Sequence, residues 1–303
     1  MPRGYVPILL VLALAWGSSF MFIEFALEDL APATTMAARL MVAAGVLFGI
    51  LIARRGFRQA IACVRQFGWS GIVLGAVSTA LPFWLIAWGQ THIDSGIAAI
   101  GNAAMPIFVA LLALRFAPGE RVTGFRAVGI VLGILGVGVL VGVNPEGGWW
   151  GAIGTLAVVL AAVSYAAGSL YSQRRLDDSS GLLVITASTL WGAFVLLPLG
   201  IAQAPSELPG AKAIMAILVM GVVATAIGLL LYIHLVENHG SSKASLVVYL
   251  LPVIALVYGA LFLDEGVQPT AIVGLALILG GVALGSGLVR PLRRQQPIPA
   301  PTP

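Results

Sequence analysis

The sequence predicts an all-α integral membrane protein of ten transmembrane helices, arranged as two inverted five-helix repeats around a central cavity. Three observations predict it: an apolar composition, ten apolar stretches and a set of residues that recurs at a constant offset. Of the 303 residues, 59% are hydrophobic and 9% are charged, against about 25% charged in a soluble domain. The mean hydropathy is +1.02. A water-soluble fold of this length has too little interior to hide so much apolar surface, so its exterior must face lipid.

Ten stretches of the chain are long and apolar enough to cross a membrane, which requires about 20 residues each. Charged residues, proline and glycine separate them, as expected of turns. Arg3 and the first run resemble a signal peptide, but the run is long and has a partner in the second half, so we interpret it as a retained anchor. The proline-rich residues 291–303 predict a disordered cytoplasmic tail. The stretches span residues 5–25, 33–53, 68–89, 95–115, 123–143, 150–172, 181–201, 212–235, 243–263 and 269–289.

The basic residues predict how the chain is oriented. If the N-terminus is cytoplasmic and there are ten crossings, 14 of the 16 basic residues lie inside, Lys212 lies outside and Arg39 lies within a helix. The outside loops are acidic. This positive-inside pattern predicts a multi-pass protein of a bacterial-type inner membrane with both termini cytoplasmic. The inside residues are Arg3, Arg54, Arg55, Arg58, Arg65, Arg115, Arg121, Arg126, Arg174, Arg175, Lys243, Arg290, Arg293 and Arg294.

The chain resembles itself at an offset of about 146 residues. Gly75, Thr79, Ser95, Ala98 and Pro106 match Gly221, Thr225, Ser241, Ala244 and Pro252, and Glu120 matches Glu265 at an offset of 145. A unit of five helices contains an odd number of crossings, so the second copy crosses in the opposite sense. We therefore expect repeats at residues 1–146 and 147–290, with a substrate site between them near the membrane midplane.

Short motifs in order along the chain carry a family resemblance. They are Ala15-Trp16-Gly17-Ser18-Ser19-Phe20, Ala38-Arg39-Leu40, Met105-Pro106, Leu251-Pro252 and Leu263-Asp264-Glu265. Over residues 5–290 the chain resembles the EamA-type members of the drug/metabolite transporter superfamily. The resemblance implies a ten-helix carrier that exports amino acids, aromatic or other neutral ones, or related metabolites. The chain also looks somewhat like the aromatic amino-acid exporters of the YddG type. A broad drug or metabolite exporter is the alternative.

Classes other than a carrier find less support in the sequence. An intramembrane enzyme needs a catalytic constellation at membrane depth, and we find none, so the chain is not predicted to be an enzyme. A scaffold subunit gains nothing from an inverted repeat. The arginines form no basic face for nucleic acid, and no GxxxxGK[ST] loop binds ATP. The expected partners are the bilayer and a small-molecule substrate.

Arg39 is the most specific candidate for a substrate-binding residue. It lies about six residues into the second predicted helix, or about 9 Å along the axis. A charge at that depth is costly, so it must face protein or water. It can hold a substrate carboxylate, or it can be a structural partner for Glu24 or for loop carbonyls.

Aromatic residues at helical spacing are the second group of candidates. Trp84 and Trp88 share one helix face, as do Trp16 and Phe20, and Tyr165 and Ser169. Such faces wall a cavity, stack a planar side chain or bind an ammonium group. Core packing is the alternative, and for Trp88 an interfacial aromatic belt.

Polar groups within apolar helices complete the predicted site. Ser19, Thr79 and Asn102 are candidates for substrate contact, with Tyr249 equally ambiguous. Asn102 is the most costly of them to bury, because both ends of its amide need partners. Interhelical bonds, or bonds back to the same helix, are the alternative role.

Two prolines are candidate hinges. Pro106 and Pro252 occupy matching positions in the repeats and fall inside predicted helices, where each removes a backbone bond. They act as pivots or as fixed kinks. Gly129-xxx-Gly133 and Gly281-xxx-Gly285 permit close helix contact, either within the chain or across a dimer, so a monomer and a homodimer both stay open.

The acidic residues and potential metal ligands bear on energy coupling and on cofactors. Acids are scarce at membrane depth, which favours facilitated diffusion, with proton antiport through Glu24 or His234 as the alternative. His234, Glu237 and His239 do not share one helix face, so no metal is predicted, and Cys63 is alone. No cofactor is expected.

Overall fold

A computed structural model describes residues 4–116, 124–142, 148–175 and 179–285. Within these ranges the chain forms helices joined by turns, with no strand. The helices are α1 Tyr5–Leu27, α2 Pro32–Arg55, α3 Phe57–Gln66, α4 Gly68–Gly75, α5 Leu81–Gln90, α6 Ser95–Asn102, α7 Met105–Phe116, α8 Phe125–Gly142, α9 Gly148–Arg175, α10 Gly181–Ala202, α11 Ala211–Leu218, α12 Gly228–His239, α13 Ser241–Ala244, α14 Val247–Phe262 and α15 Pro269–Gly285. Two π-helical segments, Ala76–Ala80 and Val219–Ile227, join α4 to α5 and α11 to α12.

The predicted all-helical membrane character is confirmed. Seven described spans are long and apolar enough to cross a membrane: Tyr5–Leu27, Pro32–Arg55, Gly68–Gln90, Ser95–Ala113, Gly148–Arg175, Gly181–Ala202 and Ala211–His239. Three shorter apolar helices, Ala127–Gly142, Val247–Phe262 and Pro269–Leu284, fill the other predicted stretches. The count of ten crossings stays a prediction. The predicted tail at 291–303, the repeat boundary at 146 and Glu120 lie outside the described residues.

Two predicted helices are broken. The stretch 95–115 divides at Ala103–Ala104 into α6 and α7, and the stretch 243–263 divides at Ser245–Leu246 into α13 and α14. The prediction that Pro106 falls inside a helix is therefore wrong, because it is the second residue of α7, where a missing N–H removes no helical bond. Pro252 does lie inside α14. The sequence analysis also missed α3, a short amphipathic helix whose Ala60 and Val64 are buried.

The two π-helical segments have local causes. Pro82 lies in the first turn of α5, and its ring would clash with the carbonyl of Ser78 in a regular α-helix, so the wider turn that precedes it relieves the contact. In the second segment the Thr225 hydroxyl donates to the Met220 carbonyl, five residues earlier, at 2.8 Å. Both segments place a buried threonine against a neighbouring helix.

Glycine brings α8 and α15 into close contact. A Cβ on Gly281 would lie 2.5 Å from the Gly129 carbonyl, and one on Gly136 would lie 2.9 Å from the Ile278 backbone nitrogen. Small residues at such crossings let backbones approach and gain dispersion energy. Of the two alternatives for these glycines, the structure shows the contact within the chain.

Most charged residues separate by sign onto opposite ends of the bundle, with Lys212 at the acidic end and Glu237 at the basic end as exceptions. At the acidic end, Asp29 accepts a hydrogen bond from the Gly210 amide at 2.7 Å, and Lys212 pairs with Glu28 at 2.5 Å. At the basic end, the Tyr5 hydroxyl donates to the Lys243 carbonyl at 2.9 Å. The acidic end carries Glu24, Glu28, Asp29, Asp94, Glu207, Asp264 and Glu265, and the basic end carries Arg54, Arg55, Arg58, Arg65, Arg174, Arg175 and Lys243.

Candidate functional site

Arg39 lies at the junction of four segments. On α2 it is only 7% exposed. Its Nε donates to Thr225 Oγ1 in the second π-helical segment at 2.9 Å, and its Nη2 lies 3.5 Å from Ser19 Oγ on α1. Its Nη1 lies 3.9 Å from Met220 Sδ, and its Cζ lies 4.4 Å from the centroid of the Phe83 ring on α5.

The partners of Arg39 are hydroxyl, thioether and aromatic groups. In the part of the chain that the structure describes, no carboxylate lies within ion-pair distance of the guanidinium. The alternative in which Glu24 is the structural partner of Arg39 is wrong, because Glu24 Oε1 instead accepts a hydrogen bond from Gln90 Nε2 at 2.7 Å. Among the described residues, no loop carbonyl accepts a hydrogen bond from it either. A buried cation without an anion is costly, so the site is suited to receive one.

Aromatic side chains surround this region. Phe83, which contacts Arg39, also lies edge-on to Tyr165 with ring centroids 6.3 Å apart. Phe20 is part of the main buried apolar cluster, which also contains Met36 and Leu40. Packed against that cluster are Phe83, Trp84, Trp88, Tyr165 and Tyr249. Five of the predicted site aromatics, Phe20, Trp84, Trp88, Tyr165 and Tyr249, thus belong to or pack against the same extended apolar cluster as Phe83 and Met220, two neighbours of Arg39.

Two predicted residues carry buried polar atoms that lack a partner. Trp84 Nε1, a donor, and Asn102 Oδ1, an acceptor, have no hydrogen bond within the described structure. Buried polar groups in native proteins are almost always satisfied, so an orphaned atom indicates a ligand or water partner. One donor and one acceptor next to an aromatic region fit a small polar ligand.

The remaining predicted residues use their polar groups within the fold. Trp16 Nε1 donates to the Ala224 carbonyl at 2.8 Å, and its ring belongs to a separate apolar cluster with Tyr232. The Thr79 hydroxyl lies 2.6 Å from the Gly75 carbonyl and 3.2 Å from the Ser188 carbonyl. Ser169 Oγ accepts a bond from Gln173 at 3.3 Å. Trp88 stacks on His92 with ring centroids 4.6 Å apart.

Three neighbours of Arg39 were not among the predicted site residues. Thr225 was recognisable from the sequence, because it is the repeat partner of Thr79, although only Thr79 was predicted as a site residue. Phe83 and Met220 were not recognisable, because an apolar residue next to a buried cation has the same sequence signature as any core residue. Only the packing of α5 and the second π-helical segment brings them together.

In the part of the chain that the structure describes, apolar spans surround a buried guanidinium with no carboxylate beside it, an arrangement typical of membrane transporters. The model of the EamA-like transporter family matches twice, over residues 4–142 and 152–287. The chain therefore belongs to the EamA-like transporter family, within the drug/metabolite transporter superfamily.

Several curated relatives align over nearly their full length. The uncharacterized transporter YoaV of Bacillus subtilis is 24% identical, covering 90% of this chain and 93% of the relative. The probable terminal-alkyne amino-acid exporter of Streptantibioticus cattleyicolor is 28% identical, covering 91% of each. The probable amino-acid metabolite efflux pump of Escherichia coli is 25% identical, covering 90% of this chain and 91% of the relative.

A solved structure shares the fold. One crystal structure superposes with a TM-score of 0.65 at 20% identity, covering 95% of this chain and 98% of the other. At this identity the likeness shows the fold alone.

Proposed function

We propose that this chain exports neutral amino acids, aromatic ones included, or related small metabolites, by alternating access between two inverted five-helix halves. The observation that carries the proposal is Arg39, a buried guanidinium that has no carboxylate partner among the described residues. A substrate carboxylate supplies the missing charge and accepts charge-assisted hydrogen bonds from the two Nη groups. The names of two relatives, an amino-acid exporter and an amino-acid metabolite efflux pump, point to the same substrate class.

Other groups in the bundle are suited to the remaining parts of such a substrate. Asn102 Oδ1, an unsatisfied acceptor, fits the ammonium group, and the Trp84 N–H fits a second polar atom. Phe83 and Tyr165 offer aromatic faces for an apolar or aromatic side chain. A cationic drug is disfavoured, because the guanidinium would repel it and no carboxylate lies beside Arg39 within the described residues.

Matching contacts support the inverted repeat. The Thr79 hydroxyl lies against the Ser188 carbonyl on α10, and its repeat partner Thr225 lies against Arg39 on α2. A Cβ on Gly75 would meet the Ser188 carbonyl at 2.8 Å, and one on Gly221 would meet the Arg39 carbonyl at 3.0 Å. The same kind of contact thus occurs twice: a segment of the first half packs on α10 of the second half, and the matching segment of the second half packs on α2 of the first half. The family model also matches the chain twice. We assign the repeats to residues 1–146 and 147–290.

The proposed motion is a rocking of the two halves about the Arg39 site. Arg39 lies in the first half and Thr225 in the second, so a ligand bound between them contacts both halves. The break between α6 and α7 ahead of Pro106, and Pro252 inside α14, are the proposed pivots. We propose facilitated diffusion, because none of the described contacts of Arg39 is with an acid that can carry a proton.

The orientation is proposed from the charge distribution. The basic end faces the cytoplasm and the acidic end faces outward, in accord with the positive-inside rule. A relative named an inner membrane transporter, YedA of Escherichia coli, is 24% identical over 91% of this chain and supports an inner-membrane location.

The experiment is efflux from liposomes that contain the purified protein and a panel of labelled amino acids, with and without a proton gradient. Saturable efflux of neutral amino acids at a rate that ignores the gradient is the expected result. A rate that follows the gradient contradicts facilitated diffusion and directs attention to Glu24. If no amino acid moves while a drug panel does, the substrate assignment is wrong.

A further inference from the structure

A cleft at the acidic end is separate from the contacts of Arg39. Its volume is about 260 Å³, and it lies between the end of α1, the end of α5, the start of α6 and the loop before α15. Three carboxylates line it, with no lysine or arginine among the lining residues. The lining residues are Glu24, Gln90, Thr91, His92, Ile93, Asp94 and Glu265.

Hydrogen bonds hold two of the three carboxylates, Glu24 and Glu265, in place. Glu265 Oε1 accepts from the Ser95 amide at 2.8 Å, and its Oε2 accepts from Ser95 Oγ at 2.8 Å and from the Gly96 amide at 3.3 Å. This caps the first turn of α6 with a fixed negative charge. Glu24 is held by the amide nitrogen of Gln90 at 2.7 Å. Glu24 and Glu265 therefore have defined positions, and a carboxylate with one or two partners can still accept a further hydrogen bond.

Gln90 gives an independent indication of a ligand. Its side chain lines the cleft yet is only 4% exposed. Its Nε2 donates to Glu24 Oε1 and, at 2.9 Å, to the Phe20 carbonyl, and both partners are acceptors, which fixes the amide orientation. Its Oε1 is then a buried acceptor without a partner in the described structure. An unsatisfied amide oxygen among carboxylates calls for a donor, and a positively charged one fits best.

We infer that this cleft is a binding subsite for a monovalent cationic group, an ammonium, with Glu24, Asp94 and Gln90 Oε1 as its ligands. Within the described residues, no group of three His, Cys, Asp or Glu side chains is close enough to hold a metal ion, which disfavours a divalent cation. An ammonium is satisfied by separate acceptors, since it donates three hydrogen bonds. In the orientation proposed above the cleft faces outward.

The ammonium can come from the transported substrate or from the medium. If it is the substrate's own, the inference rests on the proposed function, and the cleft is the last contact of an amino acid before release. If it is a free cation, the cleft is occupied whatever the chain transports. A binding measurement on the purified protein tests the subsite without requiring transport.

The test is a titration of the protein, in nanodiscs of uncharged lipid, with methylammonium chloride. His92, a lining residue, stacks on Trp88 at 4.6 Å and on Trp150 at 5.4 Å between ring centroids, so tryptophan fluorescence reports on the cleft. The variants are Glu24→Gln and, as a matched control, Glu207→Gln, because Glu207 is exposed and does not line the cleft. Where Glu24→Gln fails a thermal-unfolding check, Asp94→Asn replaces it.

We expect saturable binding of methylammonium by the native chain. The dissociation constant should rise at least about tenfold in Glu24→Gln, which corresponds to about 1.4 kcal/mol. It should not change in Glu207→Gln. Competition by phenylalanine but not by KCl identifies the substrate's ammonium as the source, and competition by KCl identifies a free cation. The absence of saturable binding, or equal binding by Glu24→Gln, overturns the subsite. Either result leaves the liposome test of transport unaffected, so failure of one does not imply failure of the other.

Discussion

Arg39 Nε donates a hydrogen bond to Thr225 Oγ1 at 2.9 Å, across 186 residues of sequence. The Thr225 hydroxyl proton is directed to the Met220 carbonyl at 2.8 Å, so its lone pair faces the guanidinium. The bond orients one edge of the guanidinium. It leaves the two Nη groups, which lie 3.9 Å from Met220 Sδ and 3.5 Å from Ser19 Oγ, as the better donors for a ligand.

Thr225→Val tests this orienting role. The change keeps the shape of the side chain but removes the acceptor of Arg39 Nε, so the affinity for a carboxylate substrate should fall, with KM rising about tenfold. Thr79→Val is the matched control, because the hydrogen bonds of the Thr79 hydroxyl within the described structure go to the backbone carbonyls of Gly75 and Ser188. It should cost about 1 kcal/mol of stability with KM unchanged. An unchanged KM in Thr225→Val contradicts the orienting role, and a raised KM in Thr79→Val restores Thr79 as a substrate residue.

Trp84→Phe removes an N–H that has no partner among the described residues, and it keeps an aromatic ring. Because the fold loses no hydrogen bond, the melting temperature should stay within a few degrees of the native value, while transport affinity falls about fivefold through loss of one ligand bond. Trp69→Phe, at a position that is 75% exposed, should change neither quantity. The measurements are transport kinetics and thermal unfolding of the native chain and the two variants. Native affinity in Trp84→Phe would show that Trp84 does not bind the substrate.

Gly281→Ala and Gly280→Ala test the contact between α8 and α15. A Cβ at Gly281 would lie 2.5 Å from the Gly129 carbonyl, whereas one at Gly280 meets nothing within 4 Å. Overpacking of this kind costs about 1–3 kcal/mol, so thermal unfolding in detergent should occur at a lower temperature for Gly281→Ala only. Equal melting temperatures for the two variants would contradict the close contact.

The orientation is testable with cysteine labelling in a Cys63→Ser background. Glu207→Cys at the acidic end should react with a membrane-impermeant maleimide on intact cells, and Arg58→Cys at the basic end should react only after permeabilisation. Both positions are exposed, so accessibility within the fold is matched. The reverse labelling pattern would place the basic end outside the cell and contradict the proposed membrane orientation.

The sequence predicted the helical membrane fold and much of the aromatic region because lipid imposes strong constraints. Long apolar runs leave few options other than helices, and a buried arginine such as Arg39 stands out in them. The breaks before Met105 and Val247 were missed, because a broken helix is as apolar as a continuous one. Likewise, the partner of Arg39 was not predictable, since Thr225 and Glu24 are both plausible neighbours until the packing of α1 against α2 and the second π-helical segment is known.

The most direct test of the central claim is counterflow in liposomes with two labelled compounds, L-phenylalanine and phenethylamine, which lacks the carboxylate. It compares the native chain with Arg39→Gln, after thermal unfolding has established that the variant is folded. The native chain should exchange phenylalanine and not the amine. In Arg39→Gln the rate of phenylalanine exchange should fall about a hundredfold, which corresponds to about 2.8 kcal/mol. A folded Arg39→Gln that exchanges phenylalanine at the native rate, or a native chain that carries both compounds equally, would contradict the claim that Arg39 binds the substrate carboxylate.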